Sequence, residues 1–393
     1  MPRAERPFTG PIVVVAQSGR ALARSAGRAG ISVHILDLYA DRDTRELARS
    51  VTRIGSIATG FSADRLLEGL HRIEEREGIG GIVAGSGFED RIDLLEAMAR
   101  VGRLLGNPPE VVRRAKEPAS FFALLTRLGI PHPETLTEAP AGSRADGTGW
   151  LCKRIGGAGG THVRSAEACC PPGHYLQRRV PGRPHSVVFL ADGRHAAIVG
   201  YNEIRVQGGT GAARFLYTGA VTVSEPPVAP AVEDAVQALV PALGLVGLCG
   251  LDFMLEVCGL DFMLEEGGRY SVLEVNPRPT GTFELYEDLG EEGPGLFQMH
   301  LSACEGRLPR TVRVLGAGVV AQEVLWASGT FAIPDDLRWP DWARDRPAAG
   351  TLIQTGEPIC TLHARAAERK AVDRLLSARR ASLCSELGWP LAA

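Results

Sequence analysis

Hydrophobic positions in the first hundred residues follow two alternating patterns. Short apolar runs have the length of buried strands, and amphipathic runs with helical spacing separate them. The apolar runs cover residues 12–16, 33–38 and 81–85, and the helical runs begin near Ala21, Ala63 and Ile92. Strands that alternate with helices in this way are typical of a parallel α/β sheet. We therefore predict an α/β fold whose first unit spans residues 1–107.

The pattern changes after this unit. Residues 119–128 predict an amphipathic helix that Gly129 stops, and residues 150–153 predict a strand. Further strands are predicted near residues 318–327 and 350–364, followed by a last helix from about Ala366. We expect a second unit over residues 108–307 and a small C-terminal α/β unit, rich in strands, over residues 308–393.

Residues 261–279 have the pattern of a β-hairpin whose acidic groups share one face. The two-residue loop Gly267-Gly268 is a strong hairpin signal. This loop places Asp261 opposite Glu274, and Asn276 follows on the same face because strand side chains alternate. Facing carboxylates repel each other, and Mg²⁺ would remove that repulsion through oxygen ligands of this kind. The hairpin therefore indicates a metal site, and a surface hairpin with solvated acids is the alternative.

A repeat complicates the hairpin. Residues 249–256 recur without change as residues 258–265, at an offset of nine. With the loop at Gly267-Gly268, Asp252 would lie opposite Phe283, beyond the prolines that end the partner strand. We therefore assign the metal to Asp261 and expect the first copy to overhang as a longer strand, a bulge or a loop, with residues 243–248 displaced.

Composition limits the classes of function. The chain has 393 residues, 45% of them hydrophobic, and a net charge of −3, so it has no general attraction to nucleic acid or to anionic membranes. The first apolar run is too short for a signal peptide, and the eight cysteines lack paired metal-ligand spacing. We expect a cytoplasmic protein that acts on small molecules.

Lysine is nearly absent: only three of the 43 lysine and arginine residues are lysines. The few lysines present are good candidates for function, because arginine is a poor substitute where a compact point charge is needed. Lys153 ends a predicted strand, and the glycines that follow it can close around phosphate oxygens; they are Gly156, Gly157, Gly159 and Gly160. A merely flexible loop is an equal alternative for the glycine run. Lys370 lies on a charged helix face and receives no role.

The order of these features resembles the ATP-grasp ligases. Lys116 stands ahead of a helix, Lys153 precedes the glycine run, and the acidic hairpin ends in Asn-Pro-Arg-Pro with Arg278. The resemblance implies an ATP-grasp fold with a preceding Rossmann-like domain, a lid over about residues 150–215 and a small C-terminal domain. It implies ATP-dependent joining of a carboxylate to an amine through an acyl-phosphate.

The resemblance also implies roles for individual residues. Lys116 and Lys153 would hold ATP phosphates, and Arg278, with Lys153, would act on the transferring phosphoryl group. Mg²⁺, with Mn²⁺ as an alternative ion, would be held by Asp261, Glu274 and Asn276.

The nucleotide hinge departs from the family pattern. Backbone groups near Arg179 and Val180 would meet the adenine edge, but Gln177 and His185 stand where the family often has glutamates. His185 is either a ribose ligand or a local hydrogen-bonding residue. Ribose contacts and nucleotide preference are therefore open.

A narrower resemblance concerns the ATP-grasp enzymes associated with tetrahydromethanopterin- and methanofuran-linked one-carbon metabolism. It depends on the runs at residues 16–23 and 85–89. Two other classes are left open: an ATP-binding sensor without turnover, and a dinucleotide oxidoreductase, which the missing Gly-x-Gly-x-x-Gly fingerprint disfavours. The predicted partners are a small carboxylate and an amine; the assembly is undetermined, with a homodimer as one candidate.

Overall fold

The structure is a computed structural model, and it describes residues 10–137, 149–166, 171–209, 213–224, 226–256, 269–287, 295–309, 312 and 318–388. The first unit contains β1 (Ile12–Val15), α1 (Arg20–Arg28), β2 (Val33–Asp37), α2 (Arg42–Leu47), β3 (Ser50–Arg53), β4 (Gly55–Ser56), β5 (Gly60–Phe61), α3 (Ala63–Glu77), β6 (Gly81–Ala84) and α4 (Ile92–Val101). Four of its strands form a parallel sheet in the order β3-β2-β1-β6. The predicted parallel α/β sheet is confirmed.

The middle of the chain begins with two short helices and a small antiparallel sheet. These elements are α5 (Pro109–Lys116), α6 (Pro118–Leu128), β7 (Thr135–Leu136), β8 (Trp150–Arg154), β9 (Val163–Ser165) and β10 (His174–Arg178), and the strand order is β7-β10-β8-β9. Helix α6 coincides with the predicted helix. Glu117 caps its first turn, and Gly129 ends it with a left-handed φ of 69°.

A large antiparallel sheet carries the rest of the middle and the C-terminal part. Its middle portion and helices are β11 (Arg183–Asp192), β12 (Ala196–Val206), β13 (Tyr217–Val223), α7 (Ala229–Leu243), β14 (Val246–Glu256), β15 (Arg269–Asn276), a 3₁₀ turn (Gly281–Phe283), α8 (Glu284–Glu287) and α9 (Gly295–Cys304). The C-terminal elements are β16 (Val319–Trp326), β17 (Phe331–Ala332), β18 (Ala343–Arg344), β19 (Leu352–Ile353), β20 (Pro358–Ala366) and α10 (Arg369–Glu386).

The eight strands of the large sheet lie in the order β15-β14-β11-β12-β13-β16-β20-β18. The predicted third unit therefore shares its main sheet with the second, and the boundaries at residues 107 and 307 stay predictions. On one face, apolar residues of β14 join the core formed by α6 and α7. The opposite face packs against α1 and α9, and Asp252 lies on that face because it alternates with the core residues Leu251 and Phe253. No helix in the described ranges is long and apolar enough to cross a membrane.

The predicted hairpin register is wrong. The first copy of the repeat forms β14, where Asp252 lies opposite Glu274 and Glu256 lies opposite Arg269, with a shift in register between Asp252 and Phe253. Asp252 therefore occupies the place that the sequence analysis gave to Asp261, and it does not face Phe283. The first copy does not overhang, since it is the paired strand. Asp261 lies outside the described residues.

Gly247 explains why the first copy takes this place. It has a left-handed φ of 76°, and a Cβ built on it would lie 2.5 Å from the ring of His300. His300 also accepts a hydrogen bond from the N–H of Leu248 through Nδ1, at 2.8 Å. If the second copy were paired instead, Glu256 would replace Gly247 at this point. A glutamate fits neither the contact with His300 nor the left-handed backbone.

Candidate active site

Two carboxylates and two polar partners form the centre of the site. Asn276 Nδ2 donates to Asp252 Oδ2 at 3.0 Å. Lys116, the last residue of α5, donates through Nζ to Glu274 Oε2 at 2.7 Å and to Asn276 Oδ1 at 3.0 Å. Helix α5 thus brings the predicted lysine onto the predicted acidic strand, and Asp252 completes the group.

The two carboxylates have opposite electrostatic surroundings. Burial and the negative charge of Glu274 raise the pKa of Asp252. Burial also acts to raise the pKa of Glu274, but the charge and hydrogen bond of Lys116 and the charge of Lys153 outweigh it and lower the pKa. Glu274 is therefore charged at neutral pH and paired with a cation. The charged form of Asp252, by contrast, is made less favourable by burial and by Glu274.

The oxygen atoms of Asp252, Glu274 and Asn276 suit a hard cation that takes the rest of its ligands from outside the protein. In the described ranges, no three Asp, Glu, His or Cys side chains converge as a complete metal cage. Mg²⁺ in phosphate sites takes one or two carboxylates and completes its shell with water and phosphate oxygens. Two carboxylates with one amide oxygen match that smaller requirement.

Lys153 lies beside this centre, on β8. Its Nζ donates to Gln177 Oε1 at 2.7 Å, and both side chains are buried. Burial lowers the pKa of Lys153, while the charges of Glu274 and Asp252 oppose that effect. Gln177 is predicted to take the place of a hinge glutamate, and in the structure its amide instead orients the lysine, from the paired strand β10.

The glycine run forms a tight loop between β8 and β9. A Cβ on Gly156 would lie 2.8 Å from the carbonyl oxygen of Glu89, and one on Gly160 would lie 1.8 Å from that of Phe215. Both glycines have left-handed φ values, of 68° and 77°. The loop therefore approaches other backbone segments more closely than a side chain would allow. Gly157 lies against His162, and Gly159 accepts a hydrogen bond from the N–H of Tyr217.

A pocket joins the loop to the acidic centre. It is lined by Ala115, Lys116, Pro118, Phe121, Phe122, Arg154, Gly156, Gly157, His162, Tyr175, Leu273 and Glu274. The pocket thus brings together Lys116, two of the predicted glycines and Glu274. His162 was missed by the sequence analysis; burial lowers its pKa, against the charge of Glu274. Its position in a glycine loop after a candidate lysine was the available signal.

The hinge residues lie at the start of the large sheet. The N–H of Arg179 donates to the carbonyl oxygen of Gly149 at 2.6 Å, and Val180 is half-buried. His185 Nδ1 lies 3.1 Å from the carbonyl oxygen of Arg183, and its ring stacks on Phe253 with centroids 5.8 Å apart. Burial lowers the pKa of His185. The histidine thus makes the local hydrogen bond that was one of its two predicted alternatives.

Arg278 follows β15 and points toward the N-terminal unit. Its Nε donates to Glu89 Oε1, and the second oxygen of Glu89 accepts the N–H of Gly87 at 2.9 Å. Burial acts to raise the pKa of Glu89, but the charges of Arg278 and Lys116 outweigh it and hold the pKa below its ordinary value. Glu89 belongs to the run at residues 85–89 that carries the narrower resemblance, and its pairing with Arg278 was not predicted.

A second ion-pair group joins three distant parts of the chain. Arg20, at the start of α1, donates to both oxygens of Glu284 at 2.6 Å and to Asp345 at 2.8 Å through Nε. Arg20 and Glu284 are almost fully buried, with side-chain exposures of 3% and 2%. Glu284 ends the segment that begins at Pro277, so this pair restrains the segment carrying Arg278. In the sequence, Arg20 was noted only as part of the run at residues 16–23.

Comparison with known proteins identifies the domain around this site. Residues 119–282 match the sequence profile of the ATP-grasp domain. The chain contains an ATP-grasp domain. The match extends from α6 to the 3₁₀ turn and includes Lys153, Asp252, Glu274 and Arg278, whereas Lys116 lies three residues before it.

The carbamoyl phosphate synthase large chain of Thermomicrobium roseum is 28% identical to this chain over 250 residues. That match covers 54% of this chain and 22% of the relative, so the chain spans about a fifth of its length.

Two solved structures share the fold around the ATP-grasp domain. The first is the biotin carboxylase domain of Hydrogenobacter thermophilus 2-oxoglutarate carboxylase, in complex with MgADP and bicarbonate. It has a TM-score of 0.70 and 15% identity, and the alignment covers 94% of this chain and 89% of that one. The second is N5-carboxyaminoimidazole synthetase from Staphylococcus aureus, with a TM-score of 0.67, 12% identity and coverage of 96% and 99%. The predicted ATP-grasp fold, preceded by a parallel α/β unit, is confirmed.

Proposed function

We propose that this protein is an ATP-dependent ligase that joins a carboxylate to an amine through an acyl-phosphate and releases ADP and phosphate. The observation that supports the proposal best is the group formed by Lys116, Lys153, Asp252, Glu274 and Asn276 within an ATP-grasp domain. Two lysines, two carboxylates and one amide suit a bound triphosphate with its metal ion better than they suit hydride transfer or nucleophilic catalysis by the protein.

Each side chain has a role in this proposal. Lys116 and Lys153 bind phosphate oxygens, and Gln177 orients Lys153 through its 2.7 Å hydrogen bond. The glycines at 156, 157, 159 and 160 let the loop close over the phosphates. Backbone groups at Arg179 and Val180 contact the adenine, with His185 near the ribose. These assignments extend the sequence prediction to the pocket beside Glu274.

Asp252 takes the metal role that the sequence analysis gave to Asp261, because Asp252 is the carboxylate that faces Glu274. Bound Mg²⁺, or Mn²⁺ in its place, neutralises phosphate charge. Asp252, Glu274 and Asn276 are the residues that would hold it.

Arg278 acts at the reacting centre. A carboxylate oxygen of the substrate attacks the γ-phosphorus of ATP, and ADP leaves. The amine nitrogen then attacks the carbonyl carbon, the C–O bond to phosphate breaks, and the amine proton passes to solvent. Arg278 stabilises the negative charge that develops on the phosphoryl and acyl oxygens.

A place in one-carbon cofactor biosynthesis is the narrower proposal, and the runs at residues 16–23 and 85–89 support it. It predicts a pterin or furan precursor among the substrates. A homodimer is the assembly we propose to test first, because the Hydrogenobacter thermophilus relative is described as a dimer.

The test is a screen of carboxylates with Mg-ATP and hydroxylamine, followed by a screen of amines. The true carboxylate should give a hydroxamate and ADP in equal amounts. Asp336→Asn, an exposed acid far from the site in sequence, serves as the control for substitution of an acidic residue. Formation of AMP and pyrophosphate would show a different ligase chemistry. ATP binding without ADP release, with every acid and amine tried, would favour the sensor.

A further inference from the structure

We infer that Glu89 is a positioning residue for Arg278, so that the N-terminal unit completes the transfer centre of the ATP-grasp domain. The inference rests on the proposed function. Glu89 lies 189 positions before Arg278 in the chain, and its side chain is only 3% exposed. A carboxylate this deeply buried has a well-defined position, and it holds the arginine by a charge-assisted hydrogen bond.

The geometry shows which part of the guanidinium is held. Arg278 Nε donates to Glu89 Oε1, and Nη1 makes a long contact of 3.4 Å with the carbonyl oxygen of Pro279. Among the contacts of the described residues, Nη2 has no acceptor. Glu89 therefore occupies the inner edge of the guanidinium and leaves the Nη1 and Nη2 fork for a ligand. Such a fork matches two oxygens of a phosphoryl or carboxyl group.

Glu89 is itself fixed from the other side. Its Oε2 accepts the N–H of Gly87 at 2.9 Å, so neither oxygen can rotate away without losing a hydrogen bond. Gly87 has a left-handed φ of 103°, and a Cβ on it would lie 2.8 Å from the ring of Phe61. The turn that presents Glu89 thus depends on glycine and on the core of the N-terminal unit.

Two further contacts restrain the same segment. Asn107 Nδ2 donates to the carbonyl oxygen of Pro277 at 3.0 Å, and Arg20 pairs with Glu284. Residues from the N-terminal unit and its last linker therefore hold the segment 277–284 at three points. Only the Glu89 contact reaches the guanidinium, which distinguishes a residue that orients Arg278 from residues that support the loop.

The experiment compares Glu89→Gln with Glu96→Gln, each in the wild type and in Arg278→Lys. Glu96 is the matched control, because it lies in the same unit as Glu89 and pairs with an arginine, Arg113, at 2.6 Å, but its side chain is about half exposed. We expect Glu89→Gln to lower kcat at least about tenfold, or about 1.4 kcal/mol, with the KM for ATP changed less than about twofold. In Arg278→Lys its further effect should be much smaller, because the two residues act as one unit.

A second measurement does not need turnover. With MgADP bound, the affinity for inorganic phosphate should fall at least about fivefold in Glu89→Gln, while the affinity for MgADP stays unchanged. If the wild type never releases ADP, the ligase proposal fails, and the phosphate measurement still decides the role of Glu89. Either of two results would overturn the inference. In the first, Glu89→Gln leaves both kcat and phosphate affinity unchanged. In the second, Glu89→Gln lowers kcat and MgADP affinity equally, and these losses add to those of Arg278→Lys.

Discussion

Replacing Asp252 with asparagine should abolish turnover without weakening the fold. The amide oxygen of the new side chain can still accept the hydrogen bond that Asn276 Nδ2 donates to Asp252 Oδ2 at 3.0 Å, so the local geometry is kept. What disappears is one negative charge at the proposed metal site. We expect kcat to fall at least about a hundredfold, which corresponds to about 2.7 kcal/mol of transition-state stabilisation.

The pKa of Asp252 determines the effect on stability. Burial and Glu274 raise this pKa in the folded protein, so the ionised group is less favourable folded than unfolded at neutral pH. This cost is absent at pH values below both the folded and the unfolded pKa, and it grows as the pH rises above the unfolded value. Asp252→Asn should therefore keep or raise the melting temperature at neutral pH, with a smaller difference in acid.

The chain contains its own control, since Asp261 stands in an identical run of eight residues. Asp261→Asn should keep most of the activity. The assay is ADP release with Mg-ATP and the identified carboxylate, together with thermal unfolding of both variants. If Asp261→Asn were inactive and Asp252→Asn active, the observed pairing of Asp252 with Glu274 would not be that of the working enzyme.

Three other predictions follow from the same contacts. Deleting residues 249–257 should leave an active enzyme, because the second copy then directly follows Leu248, Gly247 keeps its place, and a three-residue loop closes the hairpin; loss of soluble protein would contradict this. Gly247→Ala should lower the free energy of unfolding by about 2–4 kcal/mol in denaturant titrations, because the alanine would strain the left-handed backbone and its Cβ would contact His300. An unchanged denaturation midpoint would count against this prediction. Lys153→Arg should lower kcat/KM at least about tenfold, because the planar guanidinium does not fit the space beside Gln177 that the lysine ammonium occupies. Lys370→Arg should have no effect. Equal rates for the two variants would contradict the view that the few lysines of this chain are kept for function.

The local pattern of apolar and polar residues was sufficient to predict much of the fold. The apolar runs of the first unit predicted a parallel sheet, because buried strands and amphipathic helices differ in period. The stop at Gly129 likewise predicted the end of α6. The association of Lys116 with Glu274 was anticipated only through the family resemblance, since the two residues lie 158 positions apart.

The register of the hairpin could not be settled by the repeat itself. Both copies offer the same eight side chains to the partner strand, so the pairing energy within the copies is equal. The difference lies in the preceding residues, where Gly247 meets His300 from α9. That contact joins two segments that are distant in the chain, and the signal available in the sequence was the glycine two residues before the first copy. The alternation of side chains along a strand also does not predict the shift in register beside Asp252.

Each of the three cations of the site has a partner within the protein, and this has a consequence for ligand binding. Lys116 pairs with Glu274, Lys153 with Gln177 and Arg278 with Glu89. A metal ion held by Glu274 would compete with Lys116 for the same carboxylate, and Lys116 would then be available to phosphate oxygens. Arg278 differs, because its fork can bind a ligand while Nε stays on Glu89. We therefore expect nucleotide and metal to bind cooperatively at Lys116, whereas the pairing of Arg278 persists through the reaction.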